Sequence, residues 1–223
     1  MTVPSLKLND QHSIPQLGLG TWPLDDAQVA PVIETAVGLG YRHIDTAAKY
    51  GNERGVGAGI AATGIPRSEL FVTTKLDGEF QGSDRAIAGL EGSLERLGLD
   101  YVDLLLIHWP LPQRDEFVST WRTFIGLRER GLARSIGVSN FTPAHLERLI
   151  AETGVTPAVN QVQLSPVITR ASWVGEHCFA DLDAPVRRLA AIDTPVAYEP
   201  TLERAVLPQV DDIAAAVLDL AAW

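Results

Sequence analysis

Residues 102–110 read VDLLLIHWP. Val102–Ile107 is apolar apart from Asp103 and shows no alternation, the pattern of a strand buried on both faces in a parallel sheet. The run stops at His108, Trp109 and Pro110: an imidazole, an indole and a residue with no amide proton. Upstream, Ile87, Leu90, Leu94 and Leu97 fall at helical spacing and Gly98 closes the stretch. Downstream, Phe117, Trp121, Phe124 and Ile125 line a second helix that stops near Gly131. A buried strand flanked by two amphipathic helices is one step of a βα repeat.

The step recurs on both sides. Toward the N-terminus lie a β-branched strand at Phe71–Lys75, a helical stretch from Glu53 to Ala62, and a strand at His43–Asp45. Before these, Val29, Val32, Ile33, Ala36 and Val37 mark a helix that starts near Pro31 or kinks there, preceded by an apolar run from Leu17 to Trp22. Toward the C-terminus, Ser135–Val138 reads as a strand. Thr142-Pro143 is an N-cap with proline at the first helical position, Leu146, Leu149 and Ile150 form an apolar face, and 158–162 reads as a further strand. Ahead of the series, Leu6 and Leu8 alternate with Lys7 and Asn9, and Asn9-Asp10 turns the chain toward Ile14 and Leu17 in an N-terminal hairpin. Such a series predicts a parallel sheet covered by helices, either an open doubly wound sheet or a barrel. The G-x-G-x-x-G fingerprint of the open form is missing, since Gly18-Leu19-Gly20 runs on into Thr-Trp-Pro. The expectation is a TIM (β/α)₈-type barrel.

The 223 residues are 46% hydrophobic, enough for one domain spanning 1–223. A net charge of −10 opposes nucleic-acid binding and gives no pull toward anionic membranes. Cys178 is the single cysteine, which excludes an internal disulfide and leaves no zinc cluster. The N-terminus lacks a basic stretch followed by an apolar run, and no segment is long enough to span a bilayer. A soluble cytoplasmic monomer is expected, with self-association if the barrel is left open.

In a barrel the C-terminal ends of the strands converge on one mouth, where active sites are built. Asp45, Lys75, His108, Ser139, Asn140 and Gln161 all fall at such ends, and Tyr50 follows closely on Asp45. A carbonyl that accepts hydride needs a proton on its oxygen. Tyr50 can give one if a cation stabilises the phenolate; Lys75 offers the cation, Asp45 a counter-ion to hold it, and His108 a hydrogen bond to orient the carbonyl. Each residue also has a plain structural use: Lys75 as a strand-end lysine lying over apolar neighbours, Asp45 as a turn cap, His108 as a strand terminus, Tyr50 as packing. His43, Asp45 and His108 are a possible metal set for a barrel hydrolase, although that assignment leaves Tyr50 and Lys75 unexplained and the expectation is no metal.

Five stretches carry a resemblance: YRHIDTAAKYGNERG at Tyr41–Gly55, FVTTKL at Phe71–Leu76, VDLLLIHWP at Val102–Pro110, SIGVSNF at Ser135–Phe141 and NQVQLSP at Asn160–Pro166. In this order they resemble the signature segments of the aldo-keto reductase family, above all small bacterial members such as the 2,5-diketo-gluconate reductases. The resemblance implies NADPH-dependent reduction of a small aldehyde, ketone or keto-sugar. It makes Asp45, Tyr50, Lys75 and His108 the catalytic tetrad. It sets Thr21, Trp22, Asp45, Ser139, Asn140 and Gln161 against the cofactor, the last three on the nicotinamide carboxamide. It also implies that Trp22, His108 and Trp109 wall the substrate pocket. The family binds its cofactor without a Rossmann domain, which suits the missing glycine fingerprint.

The resemblance is family-like over 1–166 and diverges over 167–223. Thr194–Tyr198 faintly resembles the family's seventh strand, with Tyr198 the candidate to stack on the nicotinamide, while 187–192 and 213–220 read as helical. No Lys-Ser and arginine cluster follows to hold the 2′-phosphate, and Lys75 is the last lysine. Weak NADPH binding with little preference over NADH is expected from this, and the alternative is an impaired or non-catalytic relative that binds cofactor or a partner.

Overall fold

We describe residues 3–163 of a computed structural model of the chain. Strands β1 (Ser5–Lys7) and β2 (Ser13–Pro15) form the N-terminal hairpin, antiparallel with Leu6 opposite Ile14. The turn is closed by Leu8 N–H donating to the His12 carbonyl, with Gln11 at a φ of 74°. A six-stranded parallel sheet follows in sequence order: β3 (Gly18–Gly20), β4 (His43–Asp45), β5 (Phe71–Leu76), β6 (Val102–Ile107), β7 (Ala133–Ser139) and β8 (Asn160–Gln161). Each strand pairs with the next, so every crossover passes through the helix between them. Those helices are α1 (Asp26–Gly38), α2 (Glu53–Ala62), α3 (Ser83–Leu97), α4 (Phe117–Glu129) and α5 (Pro143–Thr153).

Every residue of β5 and β6 is buried; for β6 the nearly all-apolar run predicts this, while β5 also buries Thr73, Thr74 and Lys75. The main core lies between sheet and helices, where Val72, Leu105, Ile107, Ile136 and Val138 meet Ile33, Val56, Leu90, Trp121 and Phe124. Leu104, Leu106 and Phe71 point the other way, into a second cluster on the inner face of the sheet. Near the start of β6, Asp103, although buried, holds Arg67 at 2.6 Å and the Val72 amide at 2.9 Å.

The sheet curls. Gln161 on β8 donates to the Asp45 carboxylate on β4 at 2.7 Å, across a span of about 19 Å if four strand spacings were laid flat. The C-terminal strand ends are thereby drawn to one place. Two glycines permit this packing. A Cβ at Gly18 would lie 2.7 Å from His43 Nδ1, so the glycine makes room for an imidazole rather than a phosphate. A Cβ at Gly137 would lie 2.6 Å from the Val159 carbonyl, where β7 and the approach to β8 come together.

Some boundaries differ from the sequence expectation. Helix α1 neither starts nor is capped at Pro31: it begins at Asp26, where Asp25 and Gln28 form a capping box, and carries Pro31 within it. The cap gives the Gln28 amide an acceptor in the Asp25 carboxylate, as the otherwise unpartnered first turn requires. The apolar run Leu17–Trp22 yields only Gly18–Gly20 as strand, and 158–162 only Asn160–Gln161. Strand β7 is longer than expected at both ends. Thr142-Pro143 caps α5 as expected, with His145 completing a capping box. The expectations for 187–192, Thr194–Tyr198, 213–220 and Cys178 lie outside the described residues.

Candidate active site

Lys75 is the centre of the site. It is the next-to-last residue of the wholly buried β5, and its side chain is 2% exposed. A buried ammonium requires partners, and three are present. Lys75 Nζ donates to Asp45 Oδ1 in a short ion pair, to the Thr46 carbonyl at 2.9 Å and to Tyr50 Oη at 3.3 Å. Asp45 ends β4 and faces the same interior because β4 and β5 are paired in parallel register. Its second oxygen accepts from Gln161.

Tyr50 is brought in by a single 3₁₀ turn, Ala48–Tyr50, that follows β4 directly. The turn leaves the ring at the mouth, 5.8 Å from the His108 ring, edge to face, and 5.5 Å from the Trp22 ring. Trp109 lies parallel to His108 at 6.4 Å. Trp22 and Trp109 are 66% and 51% exposed, which is unusual for indoles and marks the walls of an open mouth. Burial, reinforced by the charge on Lys75, pushes the His108 imidazole down to about 4, so the ring is neutral near neutral pH.

Ser139 and Asn140 close β7 beside this group. Ser139 Oγ donates to the Gln161 carbonyl at 2.9 Å, and Asn140 Nδ2 lies 3.1 Å from Ser139 Oγ and 3.2 Å from the His108 carbonyl. Asn140 has a φ of 62°, in the left-handed region that asparagine tolerates better than most residues. Thr21 is placed differently. It is fully buried, its hydroxyl donates to Thr46 Oγ1 at 3.0 Å, its N–H donates to the Asp45 carbonyl and its own carbonyl accepts from Leu24 and Asn52, so it is a structural residue beneath the site.

The structure therefore gathers Asp45, Tyr50, Lys75, His108, Trp22, Trp109, Ser139, Asn140 and Gln161 around the strand ends, and turns Thr21 inward. His43 lies deeper. Its Nε2 is 3.0 Å from Thr73 Oγ1, its ring meets Phe71 edge-on, and burial holds its pKa low. Among the described residues no group of three or more His, Cys, Asp or Glu side chains could hold a metal, and the set His43, Asp45 and His108 is not assembled as one.

Sequence reasoning did not single out Thr46, Asn52 or Gln81. Thr46 Oγ1 donates to Asn52 Oδ1 at 3.1 Å, and Asn52 Nδ2 donates to the Thr21 and Leu24 carbonyls at 3.1 and 2.8 Å. This buried relay fixes the loop that carries Trp22. Asn52 after Gly51 reads as a turn residue, and only its zero exposure reveals the second role.

A parallel sheet whose strand ends bring lysine, aspartate and tyrosine into one hydrogen-bonded group fits the barrel architecture, in which sites are built at the C-terminal ends of the strands. Residues 16–183 match the model of the aldo/keto reductase family, and the chain belongs to that family. It is 52% identical over 176 residues to an aldo-keto reductase of Mycolicibacterium smegmatis, covering 78% of this chain and 63% of that protein. It is 48% identical over 180 residues to the methylglyoxal reductase DkgA of Yersinia pestis, covering 79% and 64%. The chain thus spans less than two thirds of the length of these curated relatives. Among solved structures, an aldo/keto reductase from Brucella melitensis superposes with a TM-score of 0.76 at 50% identity, over 81% of this chain and 71% of that one. A Bombyx mori aldo-keto reductase in complex with NADP superposes with a TM-score of 0.77 at 35% identity, over 98% and 75%. The six described strands belong to the barrel fold of these enzymes.

Proposed function

We propose that this chain reduces a small aldehyde or ketone to an alcohol at the expense of NADPH, with Tyr50 giving the proton. One observation carries this: the buried Lys75 Nζ is hydrogen-bonded to both Asp45 and Tyr50 at the strand ends.

The described residues fit the nicotinamide end of such a cofactor. Ser139, Asn140 and Gln161 set a hydroxyl and two amides side by side at the ends of β7 and β8, the donor and acceptor types that a carboxamide requires. Gln161 spends its NH₂ on Asp45, which leaves its Oε1 to accept. When bound, NADPH supplies the hydride. The protein's part is to hold the carbonyl and to deliver the proton. His108, neutral near pH 7, donates a ring N–H to the carbonyl oxygen and fixes its direction. Tyr50 Oη then passes its proton to that oxygen as negative charge develops. The phenolate left behind faces Lys75, whose charge stabilises it. Asp45 keeps the ammonium in place and balances its charge in a buried setting. Trp22 and Trp109 provide flat apolar walls for the rest of the substrate.

The test is NADPH oxidation by the purified full chain with a panel of aldehydes and keto-sugars. Methylglyoxal belongs in the panel because of the similarity to DkgA. Absence of turnover with every compound, from a folded protein that binds NADPH, would overturn the proposal.

A further inference from the structure

The geometry points to Gln81 as a positioning residue for the substrate mouth: its side-chain amide holds the Trp109 carbonyl and thereby sets the direction of the His108–Trp109 segment. This rests on the function proposed above for that mouth.

Beyond Ile107 the β6 ladder ends, so the backbone carbonyls that follow must find other partners if they are buried. Two consecutive carbonyls do so through side-chain amides. From one side Asn140, at the end of β7, donates to the His108 carbonyl at 3.2 Å. From the other side Gln81, in the loop after β5, donates through Nε2 to the Trp109 carbonyl at 2.6 Å. Strands β5 and β7 are the two neighbours of β6, so the segment is pinned from both flanks. The next residue, Pro110, has no N–H with which to brace the chain.

Gln81 is well placed for this task. Its residue is 0% exposed, which keeps solvent from substituting for the amide. Its own carbonyl accepts from Arg85 Nε at 2.7 Å, which ties its backbone to α3. Its side-chain Oε1 has no hydrogen-bond partner among the described residues. A buried unpaired amide oxygen is a cost, and a methionine or leucine would fill the same space without it. The bond to Trp109 is the feature that only an amide supplies. The amide orientation follows from chemistry, because only the NH₂ end can donate to a carbonyl. The same two loops meet elsewhere: Arg114 donates to the Gly78 carbonyl at 2.6 Å. Of these two contacts Gln81 is the one made to Trp109 itself, and it is hydrogen-bonded to neither Tyr50 nor Lys75.

The experiment compares the full-length wild type with Gln81→Met, which keeps the length and apolar stem but deletes the donor. With NADPH saturating, KM for the carbonyl substrate should rise about tenfold, equivalent to about 1.4 kcal/mol, while kcat falls less and Kd for NADPH stays within about twofold. A second readout does not depend on turnover. In protein carrying 5-fluorotryptophan, the Trp109 ¹⁹F resonance, assigned by its loss in Trp109→Phe, should move or broaden in Gln81→Met while the Trp121 resonance stays put. Gln81→Asn, which withdraws the amide by one methylene, should shift the same line in the same sense. An unmoved Trp109 line with unchanged KM overturns the inference. So does a joint loss of melting temperature, cofactor binding and KM, which would make Gln81 merely structural. If the wild type turns over no carbonyl, the proposed function fails, and the ¹⁹F line alone decides the role of Gln81.

Discussion

Lys75 Nζ lies 3.3 Å from Tyr50 Oη, although the lysine sits deep at the end of β5 and the tyrosine at the rim of the mouth. A charged donor and a proton donor are thus placed in one hydrogen-bonded pair before any ligand arrives. Such preorganisation is where enzymes gain most of their electrostatic advantage.

Removing the phenol hydroxyl tests the proton transfer. Tyr50→Phe keeps the ring contacts with Trp22 and His108 and deletes the acid. Turnover should fall by roughly 10²–10⁴-fold, the usual worth of general acid catalysis, with little change in the Kd for NADPH. Steady-state kinetics and a fluorescence titration on the same preparation check both halves, and near-native turnover would reject Tyr50 as the donor.

Lys75→Met preserves the stem and removes the charge. Asp45 then loses its ionic partner and keeps only Gln161. Breaking a buried pair in this way typically costs about 3–5 kcal/mol, so the variant should melt well below the wild type and lose activity. Asp45→Asn in the same background should recover part of the stability, because no unpaired carboxylate remains, without recovering activity. Thermal melts of the single and double variants decide the matter. Equal melting points for all three would mean that the pair contributes nothing.

Two histidines make stability depend on pH in one direction. Both His43 and His108 have folded pKa values below the ordinary 6.5, through burial first. The unfolded chain therefore binds more protons than the folded one between about pH 6.5 and the folded values. Stability should be fully present above pH 6.5 and should fall as pH drops toward 4. Denaturant unfolding at pH 7.5 and 5 gives the comparison, and an NMR titration should find His108 with a midpoint near 4. A midpoint at or above 6.5 would contradict the neutral role given to this ring.

Gly137→Ala should couple packing to binding. The added methyl group meets the Val159 carbonyl at 2.6 Å and Leu106 Cδ2 at 2.7 Å, and backbone on one side cannot step aside without moving the approach to β8. Overpacking of this kind costs about 1–3 kcal/mol. Because β8 carries Gln161, cofactor affinity should weaken along with stability. Full retention of NADPH affinity in a destabilised variant would separate the two.

Much of this was legible in the sequence, for reasons that differ by element. The strand at 102–107 announced itself because burial on both faces leaves no room for alternation. Asp45, Lys75 and His108 were readable because an ionisable residue at the end of an apolar strand has no packing purpose in common. The 3₁₀ turn that presents Tyr50 was hidden, since one turn of helix has no periodicity to detect. Asn52 and Gln81 were hidden for another reason. Each is a neutral amide whose partners lie about thirty residues away in the chain, and nothing local distinguishes a buried amide from a turn residue. Of the two readings of Pro31, a helix start and a position within the helix, the structure takes the second, because a helix capped by Asp25 and Gln28 starts early enough to take a proline into its body.

The hydrogen bond from Gln161 to Asp45 joins residues 116 apart in sequence. It forms only when all the strands from β4 to β8 are in place, and contacts of that separation come late in folding because the intervening chain must first be ordered. In a chain folded only through β5 the lysine and tyrosine already have their contact, but the aspartate is clamped on one side only. The bracing of Asp45 is thereby tied to completion of the sheet's curl, and a chain caught midway lacks the carboxylate held on both sides that the curled sheet provides.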